Sequence, residues 1–543
     1  MAILSIALLA AAAFGALGAN GTPPTLTDGS PVGAVSPDST ASPWTPSWTP
    51  ASTAPSPATP PSPTATLEPP TPEPSLSLVP LVPIVSFWST ERSITRAELG
   101  RRLAGGEPEP TAGSRLSAVS AADLPALAAA LGIRPQGVRT MSPSDVRAFV
   151  RAMPGALGIV RADDVTIGVR ALSVDGVALF GIGRTTVLAD WPLLASEPGV
   201  VSGFATATAW TMAAGGDVML DRAVYAQSVL EGRGVDYAWD GGYAVIDQRY
   251  CCGWGGGTLA SGHRTGGTGA FWSLFQQADL ALVNLESPEP NDFSYHATGF
   301  RFTGDPDLLK GLQFAGIDAV SLANNHVGDG GSHGVTDTVG HLDQLGIAHA
   351  GAGANRSEAR KAAWLSAGGL RVAVLAYSYI QPVDYWATAS SPGSAAYSIG
   401  AVTADIAAAK AAGADYVVVM PHWGNEYTDS LVPGLQSDAR RMIDAGADLI
   451  LGSHSHWFGP VQQLGPSNLA FYSLGDLVFD WTHDERAQES AVVDLTFVGR
   501  DLVQVDLHPV FMIDGQPNLL DANGDGRTVL GQVRTTSQSL LGW

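Results

Sequence analysis

Five polar clusters in this chain each close an apolar run: Gly216-Asp217, Asn284-Leu285-Glu286, Asn324-Asn325-His326, His422-Trp423-Gly424 and Gly452-Ser453-His454-Ser455-His456. Singly they are weak signals. A Gly-Asp pair after a strand also reads as a turn, Asn324 as a helix N-cap, and His422 as a buried histidine with its hydrogen bonds satisfied. His454 and His456 are more telling, because residues two apart at a strand end project from one face. Together the clusters offer carboxylates, amide oxygens and imidazoles, a donor mixture that suits Zn, Mn or Fe, as one ion or as two bridged by a carboxylate. Such a centre polarises a phosphoryl or acyl oxygen and lowers the pKa of a bound water. A histidine left free of the metal, as His326 would be beside Asn325, can serve as a proton donor.

The elements that must position these residues follow from the apolar pattern. In Ile317 to Gly330 the run IDAVSLA reads as a buried strand, Asn324-Asn325-His326 sits at its carboxyl end, and Gly328 and Gly330 permit a tight turn. The carboxyl end of a strand is where open α/β sheets bind ligands. From Thr206 onward strand, loop and helix alternate. Strand candidates are 209–214, 280–285, 319–323, 372–377, 416–420, 449–452, 469–474, 491–497 and 502–507, with helical stretches such as FWSLFQQAD, DPDLLKGLQFAG, VTADIAAAKAAG and LQSDARRMIDAG between them. This rhythm predicts a layered α/β domain with every cluster delivered to the same edge of a sheet.

The order of the clusters resembles the calcineurin-like metallophosphoesterases, with Asn325-His326 matching an Asn-His element and Gly452 to His456 resembling Gly-His-x-His. It resembles more closely the CapA family of poly-γ-glutamate capsule proteins, through GGDVMLDR at 215–222, VNLESP at 283–288, FRFTGDPDLL at 300–309, SLANNH at 321–326, PHWGNEY at 421–427, GSHSHW at 452–457 and YSLGDLVFD at 472–480. The resemblance implies an α/β/β/α sandwich over 206–515 and, by matched position, Asp217, Glu286, Asn325, His422, His454 and His456 as ligands for one or two divalent ions. Glu286 would be the bridging carboxylate, His326 the proton donor and Glu426 a nearby carboxylate. It also implies an anionic polymer or a phosphate or γ-glutamyl compound as substrate, and a membrane-bound polymer synthase complex as partner. Two positions depart from the phosphoesterase pattern. Met219 stands where a histidine usually follows the first Asp, leaving one ion short of a ligand, and Glu286 stands where an Asp is usual.

The rest of the chain sets the context. Residues 1–19 are almost wholly apolar and read as a signal peptide or membrane anchor, although the usual positive n-region is missing. Residues 20–78, rich in Pro, Thr and Ser, cannot bury enough surface to fold and read as a disordered stalk. Export to the cell surface is the expectation. A formal net charge of -22 argues against nucleic acid or an anionic membrane as a partner. Residues 79–205 read as a separate small α/β domain without a catalytic constellation, and 516–543 as a C-terminal tail packing on the main domain. Residues 236–267, Gly- and aromatic-rich, read either as a substrate rim using Trp239, Tyr243, Trp254 and Arg264 or as a self-packed loop. Cys251 and Cys252 are adjacent, which excludes a long-range disulfide framework. Asp521 to Gly526 copies the opening of a calcium loop, but Gln532 stands at its closing position, so a plain turn is favoured.

Overall fold

The computed structural model describes residues 76–105, 116–153, 155–198, 202–250, 258–380 and 382–542. The leader, nearly all of the stalk, the Cys251–Cys252 pair and Trp254 lie outside the described residues.

Alternation along the strands fixes the layers. In Ala209–Val218, Met212 and Ala214 join one apolar core while Ala213 faces another; Leu280 and Leu282 alternate with Ala281 and Val283 in the same way along Leu280–Leu285. Val372, Val374, Val418 and Met420, from Leu370–Ser378 and Tyr416–His422, meet the first core from the opposite side, and Ala373, Leu375, Val417 and Val419 face a third. Two sheets therefore share one apolar layer, and each is buried on its outer face as well. Helices Ala270–Gln276, Leu309–Ala315 and Gly331–Leu345 cover the first sheet, and Ile399–Ala411 and Leu435–Asp444 the second. This is the α/β/β/α sandwich. Because the clusters lie on both sheets, the edge that collects them is an edge of the sandwich and not of a single sheet.

Within the first sheet, Ala209–Val218, Leu280–Leu285, Ala319–Ser321 and Ala348–Ala350 run parallel. Glu489–Val498 adds antiparallel to Ala209–Val218, and Asp501–Ile513 follows it. In the second, Leu370–Ser378, Tyr416–His422, Leu449–Leu451 and Leu469–Phe471 are parallel. Parallel pairing sends successive carboxyl ends in one direction, which is what brings the loops after them together.

The segment expected as a C-terminal tail is more integral than that. Gln516–Leu520 is a strand of the first sheet, pairing with Asp501–Ile513 and with Tyr243–Gln248, and helix Gly526–Leu541 sends Val533 and Leu541 into the layer between the sheets. Its polar character disguised it. Gln516 and Asn518 are buried, with Gln516 donating to the Tyr237 carbonyl at 2.6 Å and Asn518 accepting from the Gly242 amide at 3.2 Å. In the 236–267 region, strands Tyr243–Gln248 and Ser261–Gly266 extend the same sheet. Trp239 is fully buried and Arg264 donates to Gln516 and the Ile513 carbonyl, so both serve packing; Tyr243 is half exposed. The 521–526 stretch is a turn, with the Gly524 and Gly526 amides donating to the Asp521 carbonyl.

Ahead of the sandwich, strand Leu76–Ser86 pairs with Leu157–Arg161, Val169–Ala171 and Leu194–Pro198, and helices Arg96–Leu103, Leu124–Leu131 and Pro143–Ala152 pack beside that sheet. Thr95 and Ser142 cap two of the helices, accepting from the Glu98 and Asp145 amides. Polar contacts join this layer to the sandwich: the Ala171 amide donates to Gln504 at 2.7 Å, that of Gly181 to Thr496 at 2.8 Å and that of Ile182 to Asp494 at 2.9 Å. Arg92 and Arg170 both pair with Asp506. Burial pushes the Asp506 carboxyl up, but the two guanidinium groups outweigh it and hold the pKa below the usual carboxylate range.

Asp506→Asn strands two guanidinium groups in a largely buried contact and is expected to cost about 3–5 kcal/mol. With a folded-state pKa that is depressed, the carboxylate's contribution is complete above the unfolded value and is lost as pH falls through the folded one. Thermal melts of the full chain should show the variant far less stable near neutral pH, the gap closing in acid; a gap that stays constant with pH would contradict this account.

Candidate metal centre

The first sheet supplies the acids. Asp217 is the next-to-last residue of Ala209–Val218, and Glu286 follows Leu280–Leu285 by one residue. Asn284 links them, donating through Nδ2 to Asp217 Oδ1 at 2.8 Å and to Glu286 Oε2. The two adjacent amides of the 317–330 stretch divide their work. Asn324 pins the turn, donating to the Leu285 carbonyl at 2.6 Å and accepting from the His326 amide at 3.1 Å, so it is not a helix cap. Asn325 reaches across to the second sheet. The turn also differs from the expected one: Gly331 takes the left-handed φ of 73°, while at Gly328 a Cβ would lie 2.4 Å from the Tyr385 ring.

The second sheet supplies the imidazoles. His422 closes Tyr416–His422, and its Nδ1 meets Ser453 Oγ at 2.9 Å. With that nitrogen engaged, Nε2 faces three electron-rich atoms: Asn325 Oδ1 at 2.6 Å, His454 Nδ1 at 3.1 Å and Glu286 Oε1 at 3.4 Å. A single N–H cannot serve all three. His454 and His456 sit on left-handed backbone, φ 100° and 61°, which is costly for non-glycine residues and is held by the surrounding packing. The His456 Nδ1 meets Asp476 Oδ1 at 2.9 Å.

Asp476 was not singled out from the sequence. It begins the three-residue strand Asp476–Val478, which lies against the end of Ala209–Val218 with Asp476 opposite Asp217. Gly215 and Gly216 permit this approach, since a Cβ on Gly216 would fall 1.8 Å from the Gly475 carbonyl oxygen and one on Gly215 2.4 Å from Leu477. Two groups of potential ligands result, Asp217–Glu286–His422 and Asp217–His456–Asp476, each with donor atoms within 4.8 Å of one another. Asp217 is the carboxylate common to both, a place the family resemblance gave to Glu286.

The electrostatics are unbalanced in a way a cation would correct. Asp217, Glu286 and Asp476 are 0%, 2% and 0% exposed, and among the described residues no Lys or Arg pairs with them. Burial, then the Asp476 charge, pushes Asp217 up to about 7. Burial and the Asp217 charge drive Glu286 well above the usual range, and burial raises Asp476. Burial drives His422 well below its ordinary value and takes His454 down to about 3, so both imidazoles are neutral. Burial also opposes charge on His456, but Asp476 overrides it and pushes the ring up to about 9. One imidazolium thus faces three buried acids, and among the described residues the oxygens Asp476 Oδ2 and Asn284 Oδ1 have no hydrogen-bond partner. The raised pKa values mean that these acids hold protons in the absence of a cation and that ionising them together needs one, and the donor set is the one divalent ions take. The residues fit a metal.

His326 stands at the rim, its side chain 15% exposed. Its Nδ1 meets Asp329 Oδ2 at 2.7 Å, and Asp329 is itself held by the Tyr385 hydroxyl at 2.9 Å and the Phe302 amide at 2.8 Å. Phe302 lies against the imidazole with ring centroids 4.0 Å apart. Asp329 is the third residue after His326, a spacing visible in the sequence, and Phe302 lies in the FRFTGDPDLL stretch without a role assigned to it there; Tyr385 carried no signal. The segment that carries Phe302 also lines a cleft of about 400 Å³, formed by His296, Thr298, Gly299, Phe300, Arg301 and Thr303. Glu426 is exposed, and among the described residues none hydrogen-bonds its carboxylate; its charge helps hold His456 protonated.

Residues 211–481 match the family described as bacterial capsule synthesis protein PGA_cap. The chain belongs to this CapA family. The capsule biosynthesis protein CapA of Bacillus anthracis is 29% identical over 276 residues, 49% of this chain and 66% of that protein. The PGA biosynthesis protein CapA of Bacillus subtilis is 30% identical over 245 residues, 43% and 63% of the two chains. The match thus spans less than two thirds of these CapA relatives. Among solved structures, the Haemophilus influenzae NAD nucleotidase aligns over 61% of this chain and 56% of that one, at 12% identity and a TM-score of 0.30.

Gly216→Ala forces Asp476–Val478 away from Ala209–Val218 and is expected to cost at least about 1–3 kcal/mol. Thermal unfolding of the full chain would reveal it, and an unchanged melting temperature would mean that the close approach of the two strands is not a constraint on the fold.

Proposed function

We propose that this CapA-family protein is exported and acts in the synthesis, release or anchoring of an anionic surface polymer, poly-γ-glutamate by kinship, as a metal-dependent hydrolase. The observation that carries the hydrolase reading is the convergence of Asn325, His454 and Glu286 on His422 Nε2, beside three carboxylates that, among the described residues, only the His456 imidazolium offsets. The names of the relatives support the polymer, and the apolar leader and Pro-rich stretch of the sequence support export.

Bound there, a divalent ion would supply Lewis acidity toward a phosphoryl or acyl oxygen and a water made nucleophilic near neutral pH. The chain's own residues do the rest. Asp217, Glu286, Asn325, His422, His454 and His456 would hold the ion or ions, with Asn284 and Ser453 orienting the carboxylates and the His422 ring. Asp329 fixes the His326 ring and engages Nδ1, which leaves Nε2 to deliver a proton to the leaving group. The chain's net charge of -22 would repel a polyanion, so polymer binding should depend on the metal.

The test begins with metal content. The full chain, reconstituted with Mn, Zn or Fe, should hold near-stoichiometric metal that His454→Ala/His456→Ala loses. His326→Ala should keep the metal while lowering turnover of γ-glutamyl or phosphate-ester substrates by about 10²–10⁴-fold. No bound metal in the wild type would sink the hydrolase reading. Bound metal with no turnover, and normal surface polymer in a His326→Ala strain, would leave a non-catalytic part of a polymer assembly complex; turnover of small phosphate esters with no effect on surface polymer would leave a general secreted phosphoesterase.

A further inference from the structure

Met219, two residues beyond Asp217, occupies the position at which a second ligand from the same strand would be sought. It cannot supply one here. Its side chain is fully buried in an apolar cluster with Phe302, Phe479 and Met512, and its sulfur accepts the Asp221 amide at 3.1 Å. The deficit lies on the Asp217–His456 side of the centre, since the other side has Glu286, Asn325, His422 and His454.

A different strand brings a carboxylate to that side. Asp476 pairs in register with Asp217, and the amide of Asp217 donates to the Gly475 carbonyl at 2.9 Å, fixing the two chains at the point where the carboxylates emerge. The two oxygens of Asp476 have different surroundings. Oδ1 is taken by His456 Nδ1, which leaves Nε2 of that ring for a ligand, whereas Oδ2 is buried and has no partner among the described residues. A carboxylate whose only task was to orient His456 would not need to bury its second oxygen unpaired, at a cost of about 1–3 kcal/mol. Gly215 and Gly216, which have no room for a side chain, exist in this arrangement to let Asp476 arrive.

We propose that Asp476 is a metal ligand, replacing the one that position 219 lacks, and that it completes a second cation site with Asp217 and His456. The centre then takes two ions that share Asp217. The two sites differ in donors. Asp217, His456 and Asp476 give a carboxylate-rich set suited to a hard ion such as Mn²⁺, while His422, His454, Asn325 and Glu286 give a nitrogen-richer one. The inference rests on the metal reading above and goes beyond it in the number of ions and in the residue that decides it.

The probe is Mn²⁺, added to metal-free full-length protein, with bound metal counted by elemental analysis and the paramagnetic spectrum recorded. Wild type should hold two Mn²⁺ per chain with the spectrum of a spin-coupled pair. Asp476→Asn keeps an oxygen to accept from His456 Nδ1 and replaces the charge and the second oxygen with a neutral amide NH2. It should hold one Mn²⁺ with an uncoupled spectrum, and His422→Ala should lose the other ion. Should Asp476→Asn fold poorly without metal, Asp476→Ser carries the same comparison. Two coupled ions in the Asp476 variants would show that this residue only positions His456, and one ion in wild type would show that the second site does not exist; both overturn the inference and spare the hydrolase reading. A wild type without Mn²⁺ would remove both.

Discussion

Three carboxylates are buried within reach of one another, and among the described residues a single imidazolium offsets them. This imbalance is the constraint on which the rest of the centre depends. Taking an ionised carboxylate out of water costs several kcal/mol unless a cation or a set of hydrogen bonds replaces the lost hydration. Asn284 meets part of that need for Asp217 and Glu286, and His456 meets part of it for Asp476. What remains is a charge deficit surrounded by neutral histidines, which have lone pairs to give and no charge to contribute. A cation bound at such a site would add its binding free energy to the stability of the fold.

The sandwich makes that crowding possible. Asp217, Glu286 and Asn325 come from the first sheet, His422 and His454 from the second, and parallel pairing within each sends the carboxyl ends toward the same edge. The apolar layer between the sheets, held by residues such as Trp210, Tyr416 and Phe497 in mutual contact, sets how closely the two halves approach. Asn325 and His422, 2.6 Å apart across that layer, measure its consequence. Where more closeness is needed, side chains are removed: Gly215 and Gly216 allow strand upon strand, and Gly328 allows Tyr385 to reach Asp329.

The N-terminal layer meets the sandwich through apolar contact, with Phe87 and Ile167 joining the core between the sheets, and through hydrogen bonds and ion pairs. Thr496, Gln504 and Asp494 are buried polar residues whose partners are backbone amides of the other layer. Such contacts are favourable only when every group is matched, so they specify one docking geometry rather than many. None of the described residues of this layer belongs to either ligand group.

The sequence by itself determined the ligand chemistry and its order along the chain, because each of the five clusters is attached to an apolar run long enough to read as a strand. Local periodicity is a property of neighbouring residues and survives without a fold. Periodicity could not say that those strands divide between two sheets, since a strand buried on both faces looks the same in either; the two-sheet sandwich came from the family resemblance. It missed the strand at Gln516–Leu520, where buried amides imitate a surface. Above all it missed Asp476, whose place in the centre comes from a three-residue strand laid against Asp217, far away in the chain, and from two glycines that make room for it. Asp329 was within the organising stretch, yet only the folded chain turns its carboxylate onto His326. Residue type and spacing select what a site can bind; register between distant strands decides which oxygens are left without a partner, and that is a tertiary fact.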